Sequence, residues 1–394
     1  MDTSSPFKTT SRVSLQGQTV PGARLNVLQG RGNDVPHPPD VRLTEAEALR
    51  FIENGVCSFP VPLGIATNFI IDGRETLVAM ATEERSVIAA ASHAAKLCRE
   101  TGGFRARIVD SNVATGQILY SDTLSDDPLV LAERINERAD RLAINLAADA
   151  DPMQKYGGGI IPHTVVAKTV QPRGRKMQLI VNFSVNTVDA MGANVVTRIG
   201  ETLAKRLELV INARRTAVIC SNRADGTTVV AIAAWPIATI GERVVERILD
   251  LQGWAEEDED RATTHNKGVM NGVSAVAQAT GQDLRAVEAT AHKWASRLFS
   301  VRDGQKETRF PLLTQYKIID GTLGGAASLS IPLGTVGGAT SHRTAKWSRQ
   351  LMGVTNVRDL ASICAAAGLA SNFAALRALA DEGILASHAR LREH

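Results

Sequence analysis

The chain has 394 residues, 44% of them hydrophobic and only 4% aromatic, with a formal net charge of +3. That length suits roughly two to three domains with cores built from Ala, Val, Leu and Ile, and so weak a charge bias argues against a polyanion partner such as nucleic acid. The four cysteines (Cys57, Cys98, Cys220, Cys364) form no C-x-x-C pair, which argues against a disulfide framework or a zinc site and fits a reducing cytosol.

Residues 1–40 are rich in Ser, Thr, Gly and Pro, lack the apolar core of a signal peptide, and read as an arm. No apolar stretch approaches the roughly 18–20 residues that span a bilayer, so a soluble, cytoplasmic protein without a membrane contact is expected. Thr44 and Glu47 have capping-box spacing at the start of a helix. The run SFPVPLGIATNFII and the turn Asp72-Gly73 predict a strand pair. Thr82 is placed to cap a helix over TEERSVIAAASHAAKLCRETGG, ended by Gly102-Gly103. Glu83 and Glu84 then fall in its first turn, where the helix dipole favours acids.

From Phe104 to about Asn222 the order is informative. FRARIVDSN reads as a strand and LVLAERINERADRLAINLA as a helix. Two strands follow around IIPHTVVAKTV and KMQLIVNFSV, joined by Gln171-Pro172-Arg173-Gly174, then a helix (ANVVTRIGETLAKRLELVI) and a last strand (RTAVICS). This is βαββαβ, the ferredoxin-like arrangement. RNA-binding domains share it, but they stack bases on strand aromatics, and these strands offer chiefly Phe183. The turn Asp189-Ala190-Met191-Gly192-Ala193-Asn194 leads into the second helix, and a glycine there lets backbone N–H groups reach an anion such as a pyrophosphate. No G-x-G-x-x-G follows a strand, so the Rossmann fingerprint is absent.

After Asn222 the sequence reads as alanine-rich and helical, with Glu256 to Asp260 as a solvated acidic loop. In Arg261–Asp283, Lys267 lies among polar neighbours and Asp283 precedes a helix. The two sit sixteen residues apart at the mouths of apolar helices, where packing could bring them together; the plain alternative is a solvated lysine and an N-cap. The helix from Leu284 carries Leu284, Val287, Ala291, Trp294 and Leu298 on one face. The glycines of DGTLGGAASLSIPLGTVGGAT either admit a ligand closely or form tight turns between strands. Two short helices and a basic tail carrying His388 end the chain.

Taken together, several segments resemble the 3-hydroxy-3-methylglutaryl-CoA reductases of the soluble bacterial and archaeal kind. They are Glu53-Asn54-Gly55-Val56-Cys57 with PLGIATNFIIDGR, Thr82 to Ser86, DAMGAN, Arg261 to Asp283, and GTVGGAT with EGILASHAR. They run in the family's order over roughly residues 20–390. The resemblance implies an α+β fold: a large, mostly helical CoA- and substrate-binding domain (41–103 and 223–377) beyond an arm (1–40). Inserted in it is a ferredoxin-like, non-Rossmann NAD(P)-binding domain (104–222), and a short C-terminal segment (378–394) carries the catalytic histidine. It further implies a homodimer or larger assembly with sites formed between subunits.

The implied reaction interconverts hydroxymethylglutaryl-CoA and mevalonate plus CoA through two hydride transfers from NAD(H) or NADP(H), with no metal. Lys267 matches the catalytic lysine, suited to an oxyanion formed when hydride adds to a carbonyl. Glu84 matches the acid, and Asp283 the carboxylate linking acid to lysine. Because two close carboxylates do not both ionise cheaply, Asp283 would help Glu84 keep its proton. His388 matches the histidine that protonates the departing thiolate. Ser86, Arg261 and Asn271 would hold the acyl group, Arg261 through a planar pair with its free carboxylate. Asp189, Ala190, Met191, Gly192, Ala193 and Asn194 would hold the dinucleotide, Asp151 the adenosine ribose, and Arg24 the CoA phosphates. Arg85, where the family commonly has Pro, and Ser371, in place of a substrate-side Gln, depart from the pattern. They keep open a related reductase on another acyl-CoA, or a CoA- or nucleotide-binding homologue with weak catalysis.

Overall fold

Asp72 and Gly73, both at positive φ (50° and 79°), make the tight turn expected between antiparallel strands β1 (Leu63–Ile71) and β2 (Arg74–Ala81). Upstream, the Thr44 N–H donates to Glu47 Oε2 at 2.8 Å, and the Glu47 N–H donates to Thr44 Oγ1 at 3.3 Å. These are the reciprocal bonds of a capping box. The computed structural model describes residues 24, 26–27, 29, 35–39, 43–44, 47, 49, 51–54, 58–110, 112–124, 126–141, 143–144, 151, 153–222, 227–296, 301–302, 305–306, 312–381 and 383. Within the expected arm, Arg24, Asn26, Val27 and Gln29 are helical.

Helix α1 (Val87–Leu97) starts four residues later than the Thr82 cap predicts. Thr82 Oγ1 instead accepts the Glu84 N–H at 3.1 Å, and Ser86 takes the N-cap position in the left-handed region at φ 74°. Glu83 and Glu84 therefore precede the helix, and its first turn holds no acid. A second correction concerns β3 (Arg105–Asp110), read as the first strand of the βαββαβ unit. It belongs instead to a sheet with later strands.

The chain forms two compact units, one of residues 1–109, 228–330 and 336–394, the other of residues 110–227 and 331–335. The smaller starts with β4 (Val113–Tyr120), followed by α2 (Pro128–Asn136), β5 (Gly159–Ile160), β6 (Val166–Val170), β7 (Gln178–Asn186), α3 (Ala193–Leu207) and β8 (Ala217–Ser221). Asp127 caps α2, accepting the Leu129 N–H at 2.9 Å. Strand β7 pairs antiparallel with β4, β5 and β6, and β4 with β8. The resulting order, β6 beside β7, then β4, then β8, is that of a split βαβ sheet. Along β7 alternate residues Leu179, Val181, Phe183 and Val185 are fully buried in the core shared with α2 and α3.

The larger unit resumes with β9 (Thr227–Pro236), then α4 (Glu242–Glu257), α5 (Glu259–Ala279), α6 (Leu284–Ala295), β10 (Thr314–Ile319), β11 (Thr322–Ile331), α7 (Arg343–Leu351) and α8 (Val357–Asp381). Its four-stranded sheet runs β10-β11-β9-β3. Strand β9 lies where a helical style was expected. Its Trp235 is fully buried, stacks on Phe373 of α8 at 3.8 Å between centroids, and donates Nε1–H to the Ala94 carbonyl at 3.0 Å.

Helices α5 and α8 meet through small residues. A β-carbon at Gly272 would strike the Ala367 carbonyl, and one at Gly368 would lie 2.8 Å from Val273 Cγ2. The expected pair of short C-terminal helices is thus one helix of 25 residues. The expectation about apolar length is corrected too. By length and composition α8 could cross a membrane, but most of its apolar window is buried within the protein.

Candidate active site

The acidic run at Glu256 to Asp260 is a helix junction, not a loop. Asp258 Oδ1 accepts the Arg261 N–H at 2.7 Å as N-cap of α5, and Glu259 and Asp260 fill the first turn. That cap starts a 21-residue helix with Lys267 in its middle, not at its mouth. Thr264, Lys267 and Asn271, at i, i+3 and i+7, form a polar stripe on the less buried side, while Arg261, His265, Gly268 and Gly272 face inward.

Lys267 Nζ lies 3.2 Å from Glu84 Oε2, joining residues 183 apart in sequence. The side chains are 61% and 45% exposed. A pair so open to water stabilises a fold by about 1 kcal/mol at most, so folding alone gives little reason for it. Arg85 is exposed and makes no ion pair with Glu84. Ser86, at the strained left-handed cap, turns its hydroxyl to the Arg85 carbonyl.

Asp283 is the N-cap of α6. Its Oδ1 accepts the N–H groups of Arg285 at 3.1 Å and Ala286 at 3.2 Å, and pairs with Arg285 Nε at 3.3 Å. It makes no hydrogen bond to Glu84 or Lys267, so the structure unites acid and lysine but not the expected bridging carboxylate. Asn271 is half-buried, and its amide makes no hydrogen bond among the described residues.

Arg261 is 8% exposed, and its guanidinium lies 5.9 Å from the Trp254 ring centroid. Burial pushes its pKa down. No carboxylate among the described residues pairs with it, which leaves its planar fork open to an anionic group. Ser371 is 7% exposed with its hydroxyl unpartnered. Arg24 is exposed, and His388 lies outside the described residues.

Beneath Lys267 runs a polar chain that the sequence reading missed. The Thr314 hydroxyl donates to Asn372 Oδ1 at 2.8 Å, as does the Tyr316 hydroxyl at 2.8 Å. Thr314 Oγ1 is therefore left to accept from His265 Nε2 at 2.6 Å, which assigns the Nε2–H tautomer and leaves the buried Nδ1 without a partner. Asn372 Nδ2 donates to the His265 carbonyl at 3.0 Å, and Asn266 Oδ1 accepts the Leu313 N–H at 2.8 Å. Burial, reinforced by the nearby Arg261 charge, pushes the His265 pKa down to about 3. Its one sequence signal was polar residues on the inward positions of a helix.

In the smaller unit, Gly192 (φ 102°) precedes α3. A β-carbon there would collide with the Thr187 methyl group. The helix has no side-chain cap and no acid in its first turn, so its unbonded N–H groups suit an anion such as a dinucleotide pyrophosphate. Asp151 is engaged otherwise: Oδ1 accepts the Met153 N–H at 2.9 Å and Oδ2 the Ile160 N–H at 2.7 Å. Both oxygens thus staple the Gly157–Gly159 loop, leaving a ribose only their remaining lone pairs.

A cavity of about 220 Å³ lined by Ile71, Arg74, Glu75, Met352, Arg358 and Asp359 contains none of these candidate residues. Among the described residues no group of three or more His, Cys, Asp or Glu side chains could hold a metal ion.

The chain is similar to known proteins over most of its length. A family model described as hydroxymethylglutaryl-coenzyme A reductase matches residues 22–393. The 3-hydroxy-3-methylglutaryl-coenzyme A reductase of Archaeoglobus fulgidus is 41% identical over 347 residues, covering 87% of this chain and 76% of the relative. The Haloferax volcanii reductase is 26% identical over 374 residues, covering 86% and 84%. The structure of the class II reductase from Streptococcus pneumoniae bound to NADPH in open conformations matches with a TM-score of 0.81 at 30% identity, over 93% of this chain and 100% of that one.

Proposed function

Because the chain belongs to the hydroxymethylglutaryl-coenzyme A reductase family, we infer that it interconverts 3-hydroxy-3-methylglutaryl-CoA and mevalonate plus CoA at the expense of NAD(P)H. The observation that carries the site assignment is the approach of Lys267 to Glu84 from 183 residues away. Each bound NAD(P)H supplies one hydride, and the chain's own groups manage charge and protons. The Lys267 ammonium sits against the substrate carbonyl oxygen and stabilises the negative charge that develops on hydride addition. Glu84 in its acid form gives that oxygen a proton, takes it back as the thiohemiacetal collapses, and gives one again to the alkoxide formed by the second hydride. His388 protonates the CoA sulfur as the carbon–sulfur bond breaks, leaving an aldehyde for the second reduction. Arg261 takes the free carboxylate of the acyl group, with Ser86 and Asn271 beside it, and Arg24 faces the CoA phosphates. Asp283 acts on the lysine and acid once substrate draws the groups together, while its cap bonds persist.

The dinucleotide binds at Asp189–Asn194 in the smaller unit, which we assign as the NAD(P) domain; the larger unit holds CoA and substrate. Exposed Leu49 (58%), Ile52 (54%) and Phe59 (93%) flank the Glu53-Asn54 motif. Apolar side chains so open to water support a homodimer whose sites include both subunits. We place the protein in the cytoplasm; α8, although apolar, is a buried core helix.

The test follows NAD(P)H absorbance with hydroxymethylglutaryl-CoA. Lys267→Ala and Asp283→Asn should each lower kcat by about a hundredfold or more, and undiminished turnover in either refutes its role. Asn serves as an N-cap as well as Asp does, so Asp283→Asn should leave the thermal midpoint unchanged. A neighbouring acyl-CoA is the second reading, favoured by the unpartnered Ser371 hydroxyl where a longer amide was expected. Turnover of such a thioester in a substrate panel, with none of hydroxymethylglutaryl-CoA, would select it.

A further inference from the structure

The turn assigned to the dinucleotide is not self-supporting. Val188, a β-branched residue, sits at φ 52°, where such side chains are strained, and Gly192 at 102°. Within the turn itself, the Val188 N–H bonds to Asn186 Oδ1 at 3.0 Å and the Ala190 N–H to the Thr187 carbonyl at 2.9 Å. Further support comes from two stretches distant in sequence.

Asn112, 4% exposed and itself at φ 44°, supplies the first. Its side-chain Nδ2 donates to the Val188 carbonyl and, at 3.2 Å, to the Ala190 carbonyl. Its backbone carbonyl accepts the Thr187 N–H at 2.9 Å and the Thr187 hydroxyl at 3.2 Å. One residue thus bonds Thr187, Val188 and Ala190, and its side-chain amide reaches the two carbonyls that flank Asp189. The second stretch is Ile331–Thr335, which belongs to the same unit. The Thr335 N–H donates to the Asp189 carbonyl at 2.8 Å. Gly334 lies so close that a β-carbon there would sit 2.5 Å from the Met191 amide nitrogen.

We propose that Asn112 is a positioning residue for NAD(P)H: it fixes the Thr187–Gly192 backbone so that the start of α3 presents its N–H groups to the pyrophosphate, with Gly334 and Thr335 closing the turn from the other side. The proposal rests on the assignment of Asp189–Asn194 as the dinucleotide site. Asn112 touches neither substrate nor cofactor; it acts through the turn. Asp at this position tolerates the same backbone but turns carboxylate oxygens toward two carbonyls, so it should be worse than Gly, which merely removes the amide.

The experiment uses the full chain and steady-state kinetics with NAD(P)H and hydroxymethylglutaryl-CoA varied separately. Asn112→Gly should raise the KM for NAD(P)H about tenfold, the scale of two lost hydrogen bonds, with the KM for hydroxymethylglutaryl-CoA changed by less than about twofold. Asn112→Asp should raise it further. Gly334→Ala approaches the turn from the opposite side and should give the same selective rise, which covers the case in which the Asn112 variants fold poorly. An unchanged KM for NAD(P)H in folded variants, or an equal rise in both KM values, overturns the proposal. Asn194→Asp separates this from failure of the site assignment. It sets a carboxylate where the pyrophosphate would bind, and if that too leaves the KM for NAD(P)H unmoved, the dinucleotide binds elsewhere.

Discussion

His265 makes the fold sensitive to acid in a way that can be measured. Its ring is 1% exposed, bonded through Nε2 to Thr314, and its pKa is held down to about 3 by burial and by Arg261. An unfolded chain would bind a proton at this residue below about pH 6.5. A folded pKa below the unfolded one means the contribution to stability is complete above about pH 6.5 and is lost as pH falls toward the folded value. In that window each pH unit costs about 1.4 kcal/mol, so moving from about pH 7 to about pH 4.5 removes about 3 kcal/mol through this one residue. His265→Gln keeps an N–H that can reach Thr314 and removes the titration. Urea unfolding of both proteins, followed by tryptophan fluorescence to which the buried Trp235 contributes, gives the loss of unfolding free energy between the two pH values. That loss should be smaller in the variant by about 3 kcal/mol. His93 and His342, whose pKa values burial also lowers, are present in both proteins and cancel. Equal losses in the two proteins would show that His265 is hydrated or paired in the folded state, and the polar chain to Asn372 would have to be redrawn.

Arg261→Met should lower kcat/KM for hydroxymethylglutaryl-CoA by roughly a hundred- to a thousandfold, the scale of a lost bidentate carboxylate pair, with the thermal midpoint unchanged or raised. A drop below about threefold would remove Arg261 from the site. Light scattering should give at least twice the 42.1 kDa chain mass, and a monomer at working concentration would count against sites shared between subunits.

What could be read from the sequence were features whose cause is local. The Thr44–Glu47 capping box, the Asp72-Gly73 turn and the Asp283 cap each depend on neighbours within a few residues. Strand β4 went unread because Gly116 interrupts its pattern, yet that glycine is required: the Phe183 ring packs where a β-carbon would stand. Two short helices were expected where α8 runs unbroken, and its Gly368 lets Val269 and Val273 of α5 approach. The alanines of β9 imitated a helix, and only pairing within the sheet with β11 and β3 decides otherwise. In the candidate site, residue types were legible and partnerships were not. Nothing near Lys267 names Glu84, and nothing near Arg261 announces that its charge is buried. The sequence pairs Asp151 with a ribose and Asp283 with the acid and lysine, while much of their bonding capacity goes to nearby backbone N–H groups.

The return of the chain through Ile331–Thr335 also limits how the protein can be divided. A fragment of residues 110–227 would carry every strand and helix of the smaller unit, and by length alone it looks like a portable nucleotide module. It would lack the five residues that close the Asp189–Asn194 turn. Transplanting the proposed NAD(P)H site into another protein therefore means grafting two separate pieces of chain, and a swap between relatives should exchange both together.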